Sequence, residues 1–305
     1  MNMNTQRVRK IVKIVITTIF YALRIALAGI IIWWCFGKLE EWDNFQTFRE
    51  WDDHYGFEGE GTYENPYLIQ SADDLIKLSD AVNNGDYFAC VYFMQTDDID
   101  MSSCDNFTPI GTLESTYMFR GIYDGNGHKL LNLTIDGSVL DNKWGGLFGR
   151  LGGVVMNLGI ESGRISGDYV GSFAVVNGNS DAMIINCYNR ADLYAIHRCG
   201  GIADYFPSGR ILGCANYGHL SGDVTCQIVS YDCSVISGCC NYTESNDYIV
   251  PYETFEGHIY DSYLGTDDIT ELNRFIDNYQ NFIIYPNNCP IDVKPWTSTD
   301  TDTTQ

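Results

Sequence analysis

Gly146-Leu147-Phe148-Gly149, Gly171-Ser172-Phe173-Ala174 and Gly201-Ile202-Ala203-Asp204 are three versions of one short motif, with starts 25 and 30 residues apart. A second series is interleaved with them: Ile185-Asn186-Cys187-Tyr188-Asn189, Leu212-Gly213-Cys214-Ala215-Asn216 and Ser237-Gly238-Cys239-Cys240-Asn241. Its cysteines are 27 and 25 residues apart. Met156-Asn157-Leu158-Gly159-Ile160 reads as an earlier copy with Leu158 at the cysteine position. Short β-prone runs and turns recurring every 20–30 residues mark a solenoid, in which one repeat cannot bury its apolar residues until the next stacks on it. Equivalent positions then lie above one another. The spacing predicts an interior ladder of Leu158, Cys187, Cys214 and Cys239, and a turn ladder of Asn189, Asn216 and Asn241 whose side-chain amides bond from coil to coil. The Leu-x-x-Leu-x-Leu spacing of a leucine-rich repeat is absent and the turns are glycine-rich.

Upstream of the repeats, from Phe88, short strands alternate with Gly, Asn and Asp turns. Tyr123-Asp124-Gly125-Asn126-Gly127-His128 is a strong turn signal of hairpin type, and residues 130–135 alternate after it. Residues 71–84 read as one helix: Ser71 is placed to cap it, Asp73 and Asp74 favour its dipole, and Leu75, Leu78 and Val82 share a face. An open end of a strand stack invites edge pairing. The 71–84 helix is expected to cover the first coil, and a second amphipathic segment, 266–279, the last. Residues 62–250 are therefore expected to be the β-helix with its N-terminal cap, residues 37–61 a spacer before it, and residues 251–305 a capping helix followed by a low-complexity tail.

Residues 1–38 carry six basic side chains and no acidic one, whereas the chain as a whole has a net charge of −22. A surface so acidic excludes a nucleic-acid partner, because phosphate binding needs a cationic patch. Residues 14–36 form an apolar run interrupted only by Arg24. At about 1.5 Å per residue this run crosses a bilayer with Trp33 and Trp34 at one interface. Arg7, Arg9, Lys10 and Lys13 precede it, so residues 1–13 are expected in the cytoplasm and residues 37–305 outside the cell, with the membrane itself as one partner. Ala26-Leu27-Ala28 matches a signal-peptidase pattern, but the apolar Ile30-Ile31-Ile32-Trp33-Trp34 that follows favours an uncleaved anchor.

The Gly-Leu-Phe-Gly run and its flanking copies resemble the GLUG repeat of bacterial surface proteins. The preceding series is similar to the entry into the β-helices of large adhesin-like proteins: Gly61-Thr62-Tyr63-Glu64-Asn65-Pro66-Tyr67-Leu68-Ile69, then Asp97-Asp98-Ile99-Asp100, Phe107-Thr108-Pro109-Ile110-Gly111 and Phe119-Arg120-Gly121-Ile122-Tyr123-Asp124-Gly125-Asn126-Gly127-His128. It also looks like the non-catalytic region of IgA-specific metalloendopeptidases. The likeness covers roughly residues 58–245. It implies an all-β solenoid, a right-handed parallel β-helix displayed on a cell surface, and no reaction. The chain departs from the pattern where Asp204 replaces the closing glycine and where Gln227-Ile228-Val229-Ser230 barely keeps the motif.

No catalytic constellation stands out. His54, His128, His197, His219 and His258 form no His-Glu-x-x-His, the arrangement that a zinc protease requires. A glycosidase needs two carboxyls about 5–10 Å apart, and Asp97, Asp98, Asp100 and Asp124 are available, yet each sits in ordinary turn chemistry. Asp97, Asp98 and Asp100 are also the weak candidate for a calcium site, on hard-oxygen grounds alone. No cofactor is expected. Cys187, Cys214 and Cys239 read as small apolar residues, and Cys226, Cys233 and Cys240 leave disulfide connectivity open. Twenty-one tyrosines, among them Tyr188, Tyr194, Tyr205, Tyr217 and Tyr242, supply rings for a glycan or a surface protein to contact, or for half-buried sheet positions. The expected function is a surface-displayed, non-catalytic binding module. A carbohydrate-active enzyme is the alternative, and a structural spacer for a partner protein the third reading.

Overall fold

The computed structural model describes residues 55–112, 117–237 and 239–241, together with the strands His258–Tyr260 and Tyr263–Leu264. The expected span, 14–36, and the expected C-terminal helix, 266–279, lie outside the described residues. Among the described residues no helix is long and apolar enough to cross a membrane.

The chain winds as an all-β solenoid of about five turns. Its strands are short and pair in parallel, in sheets of ten, seven and six strands. One turn runs through Phe148–Leu151, Val154–Met156, Gly159–Ile160 and Gly163–Gly171. Ala174–Asn177 then lies beside Phe148–Leu151, and Met183–Ile185 beside Val154–Met156. In the following turn a single strand, Ala203–Leu212, crosses the corner, pairing with Ala174–Asn177 at its start and Met183–Ile185 at its end. Two ladders that are separate earlier thereby join in the largest sheet.

The core is a set of columns. Val155, Ile184, Ile211 and Ile236 follow one another in register and are fully buried. Burying each such side chain contributes about 1.5–3 kcal/mol relative to exposing it, and the β-branched shape suits the pleat. The corner after this column needs a left-handed residue. Asn157 (φ 53°), Asn186 (φ 52°) and Gly213 (φ 59°) fill it, the residue types that tolerate that backbone.

The helix spans Ala72–Asn83, with Ser71 accepting from the Asp74 backbone N–H as its N-cap. Leu75, Leu78, Ala81 and Val82 are buried beneath it. Ser79 Oγ donates to Thr108 O (2.7 Å), Asn83 Nδ2 to Pro109 O (3.0 Å), and Gly111 N to Asn83 Oδ1 (2.9 Å). Ile110 in turn bridges Phe148, so the helix covers the start of that ladder.

Three expectations change. The spacer expected over 37–61 does not extend to Gly61: Phe57 is buried, with its ring 5.6 Å from that of Phe93, and Glu58 bridges Leu68. The Tyr123–His128 turn is not a hairpin. Ile122–Asp124 and Lys129–Leu131 belong to different parallel sheets, because the same turn residues serve a coil corner as readily as a strand reversal. The second motif copy is also one residue out of the register its letters indicate. Phe148 pairs with Ala174, and Ala174 with Ala203, so Leu147 corresponds to Phe173 and Ile202 rather than to Ser172. Burial selects this register, since it places three large apolar side chains on the inner corner.

Candidate functional site

The repeat-motif residues are structural. Leu147 and Phe148 are fully buried. A Cβ on Gly146 would collide with the carbonyl oxygen of Gly171, and one on Gly149 with that of Gly111, so both glycines mark where neighbouring coils touch. Leu158, Cys187, Cys214 and Cys239 are all buried, and the three cysteines carry thiols rather than disulfides. Cys187 Sγ lies 3.2 Å from Ile185 O, and Cys214 Sγ 3.4 Å from Leu212 O. Burial pushes the Cys214 thiol well above its ordinary value, and its contacts with Cys187 and Cys239 act in opposite senses.

Asn189 and Asn216 have no solvent exposure. Asn189 Nδ2 donates to Asn216 Oδ1 (2.9 Å), and Asn216 Nδ2 to Gln227 Oε1 (2.9 Å). Each amide also closes its own turn: Ala191 N donates to Asn189 Oδ1, and Gly218 N to Asn216 Oδ1. The backbone of Asn241 pairs in register with Asn216. A second polar ladder escapes a reading of the sequence. Asn186 Nδ2 donates to Asn157 Oδ1 (2.9 Å), and Asn157 Nδ2 to Asp124 Oδ1 (2.9 Å). The signal was the asparagine preceding Leu158 and Cys187, at the left-handed corner.

The calcium candidate is not assembled. Asp97 Oδ1 accepts from Asp98 N, Asp98 Oδ1 from Lys129 N, and Asp100 Oδ1 from Ser102 N and Asn132 Nδ2. Asp98 also faces His128 Nδ1 at 3.4 Å. The three carboxylates lie at a strand end and serve different neighbours. Among the described residues no group of three or more His, Cys, Asp or Glu side chains is placed to hold a metal. The Asn132 and Ser102 hydrogen bonds hold Asp100 below the usual carboxylate range.

The tyrosines divide into two groups. Tyr188 is buried across Gly159, with its hydroxyl donating to Glu161 Oε2 (2.7 Å), and Arg190 lies over both Tyr188 and Tyr217. Tyr194 carries the Arg164 guanidinium 3.8 Å from its centroid. These rings brace the wall. Tyr205 belongs to the other group, an exposed patch centred on Arg198.

Two β-bulges build that patch. Between Gly167 and Tyr169 there is one residue, but opposite them, between Ala195 and Arg198, there are two, Ile196 and His197. Between Ala203 and Tyr205 lies Asp204 alone, but opposite it lie Ser230 and Tyr231. A bulge leaves its extra residue unpaired and re-aims side chains. Ile196 is 58% exposed, Val224 41%, Tyr231 37% and Tyr205 36%. Val224 pairs with Arg198, the Arg198 guanidinium lies 5.0 Å from the Tyr231 centroid and 4.6 Å from that of Tyr169, and the Tyr205 ring lies 5.3 Å from that of Tyr231, tilted against it. Most of the exposed large hydrophobic residues among the described ones therefore gather around one arginine.

Arg198 is fixed from beneath. Asp204, at the position of the motif's closing glycine, is only 1% exposed and receives Arg198 Nε and Nη2 at 2.9 Å each. The Ser230 hydroxyl also donates to Asp204 Oδ1. Burial pushes the Asp204 carboxyl above the usual range, against the opposing pull of Arg198 and Ser230. Burial acts to lower Arg198, but the hydrogen bonds and charge of Asp204 outweigh it and hold the guanidinium above its ordinary value. At the outer rim His197 Nδ1 lies 3.6 Å from Asp223 and its ring 5.5 Å from Tyr169.

The chain is thus a parallel β-solenoid with a bulge-framed ring-and-guanidinium patch on one wall. No family model matches it. Halomucin of Haloquadratum walsbyi is 31% identical over 157 residues, which is 48% of this chain and 2% of that protein. A protein of Evansella cellulosilytica described as a Gly-rich membrane protein is 33% identical over 141 residues, 42% of this chain and 15% of the relative. The chain therefore spans only a small part of either relative. A solved structure of an immunoglobulin A1 protease-like protein from Bacteroides ovatus is similar with a TM-score of 0.42 at 16% identity, covering 72% of this chain and 89% of that one.

Proposed function

We propose that this protein is a membrane-anchored, surface-displayed binding module of the adhesin-like, GLUG-repeat kind, without catalytic activity. Residues 14–36 form the anchor, residues 1–13 lie in the cytoplasm and residues 37–305 lie outside. The solenoid winds right-handed, the hand that parallel crossovers between twisted strands adopt. The observation that carries the reading is the Arg198 patch. It exposes rings and aliphatic side chains, whereas the buried asparagines spend their amides on coil-to-coil contacts. Tyrosine and arginine are the residues that dominate binding surfaces.

The carboxylates support the non-catalytic part. A glycosidase needs two carboxyls converging on one bond. Here Asp97, Asp98, Asp100 and Asp124 each hold a turn, and Asp204 is enclosed by Arg198 and Ser230. The similarity to a Gly-rich membrane protein accords with the anchor. The test is labelling of intact cells that produce the full-length chain, with a membrane-impermeant amine reagent. Label is expected on Lys77 and Lys143, whose side chains are 45% and 57% exposed, and not on Lys10 or Lys13. The reverse pattern, or no label on intact cells, overturns the display.

A further inference from the structure

We propose that the Arg198 patch binds a neutral saccharide, with Tyr205 and Tyr231 as the stacking platform and Arg198 as the fixed hydrogen-bond donor. This rests on the reading of the wall as a binding surface and names the class of ligand.

The ring geometry comes first. Tyr205 and Tyr231 stand 5.3 Å apart, inclined at 54°, so they present an angled pair of faces rather than a flat stack. The C–H face of a pyranose packs on such rings, as any weakly polar C–H surface does on the negative face of a π-system. Exposed Val224 pairs with Arg198, and exposed Ile196 lies two residues before it, so both add apolar surface to this part of the wall.

The donor comes second. A guanidinium carries five N–H groups in a fixed fork. Asp204 engages Nε and Nη2, which leaves the Nη1 edge of Arg198 without a hydrogen-bond partner among the described residues. The buried carboxylate locks the plane of the fork, so this edge is aimed before any ligand arrives. A preorganised donor beside a ring suits hydroxyl recognition, because little side-chain entropy remains to be lost on binding.

Charge and size then select among occupants. Arg198 is paired with Asp204, and the exposed Asp223 carboxylate stands at the rim 3.6 Å from His197, so these residues offer a polyanion no unpaired cation. The chain as a whole is at −22, which repels a polyanion at long range. A folded protein partner needs roughly 800 Å² and about 20–30 residues on each side. This patch is a handful of side chains, the footprint of a few sugar rings.

The test measures binding of the full-length chain in detergent micelles to immobilised neutral oligosaccharides (gluco-, manno-, galacto- and N-acetylglucosamine series) and to heparin and alginate as polyanions. Binding to at least one neutral series is expected, unchanged between low and high salt. Tyr205→Ala and Tyr231→Ala should each weaken it about tenfold or more, with unaltered melting curves. Tyr63→Ala, an exposed ring elsewhere, should leave it unchanged. Binding confined to the polyanions, loss of binding with salt, or indifference to both patch variants overturns the proposal. A photo-crosslinking phenylalanine analogue at position 205, used on intact cells, separates the two readings. Crosslinking to a protein without saccharide binding sinks the saccharide but keeps the binding surface, and neither signal sinks both.

Discussion

The two halves of the solenoid are filled by different chemistry. From Phe57 to Phe148 the interior is a relay of rings: Phe57 to Phe93 at 5.6 Å, Phe88 to Phe93 at 5.1 Å, Phe93 to Phe119 at 5.8 Å and Phe119 to Phe148 at 5.3 Å. Beyond Phe148 the same ladder continues through Ala174, Ala203 and Val229, and thiols and β-branched side chains fill most of the neighbouring columns, with Phe173 and Phe206 as the fully buried phenylalanines among them. The first half closes an end, where the helix and irregular segments meet no identical neighbour and large rings fill uneven space. The second half stacks like on like, and there the polar ladders of Asn157–Asn186 and Asn189–Asn216 fix the register. Ring packing stabilises a terminus; amide ladders specify a repeat.

The comparison breaks first at the ring relay. Phe93 is fully buried and touches four other rings. Phe93→Ala is expected to cost about 3–5 kcal/mol in a urea titration, with protection lost first over residues 55–112 in hydrogen exchange. Uniform loss along the whole chain would show that the two halves unfold as one unit. Asn216→Ala removes a donor from Gln227 and an acceptor from the Gly218 N–H, and should cost about 1–3 kcal/mol with exchange confined to the repeat half.

Acid should separate the halves in sign. Hydrogen bonds from Asn132 and Ser102 lower Asp100, and bonds from the Ser138 side chain and backbone lower Asp136. Their contribution is present above the unfolded value of about pH 4 and is lost as pH falls through their folded values. Asp204 is raised by burial, so its contribution is complete below about pH 4 and is lost as pH rises through its folded value. Urea midpoints across pH 2.5–7 should therefore show the wild type losing ground to Asp204→Asn as pH rises, and to Asp100→Asn as pH falls. Parallel trends in the two variants would remove the distinction. The smallest effect is expected at the patch, where Tyr205→Ala should change stability by less than about 0.5 kcal/mol. A larger loss would make the exposed rings part of the core.

Much of the solenoid was legible from periodicity, because stacking forces equivalent residues to recur: the cysteine column, the Asn189–Asn216 ladder and the Ser71-capped helix all follow from spacing and residue type. The one-residue offset of Gly171-Ser172-Phe173 was not, since two glycine-led copies align equally well until burial decides which side chain faces inward. The patch was illegible for a related reason. Ile196-His197 and Ser230-Tyr231 look like any other strand letters, and a bulge exists only relative to the neighbouring strand. Its one sequence trace was Asp204 in place of a glycine, a departure that becomes intelligible once Arg198 lies across it.

The bulges also describe how such a wall can change. On either side of Ile196-His197 the strands stay paired, with Ala195 against Gly167 and Arg198 against Tyr169, and the register beyond the bulge is shifted by one residue. The extra residue is taken up in the bulge, where Ile196 is exposed, and the ladder continues beyond it. Such a position behaves as a splice point: longer or different outward segments could be exchanged there over generations while the coils above and below keep their places. What the wall presents to solvent could then diverge among descendants of this chain faster than their architecture.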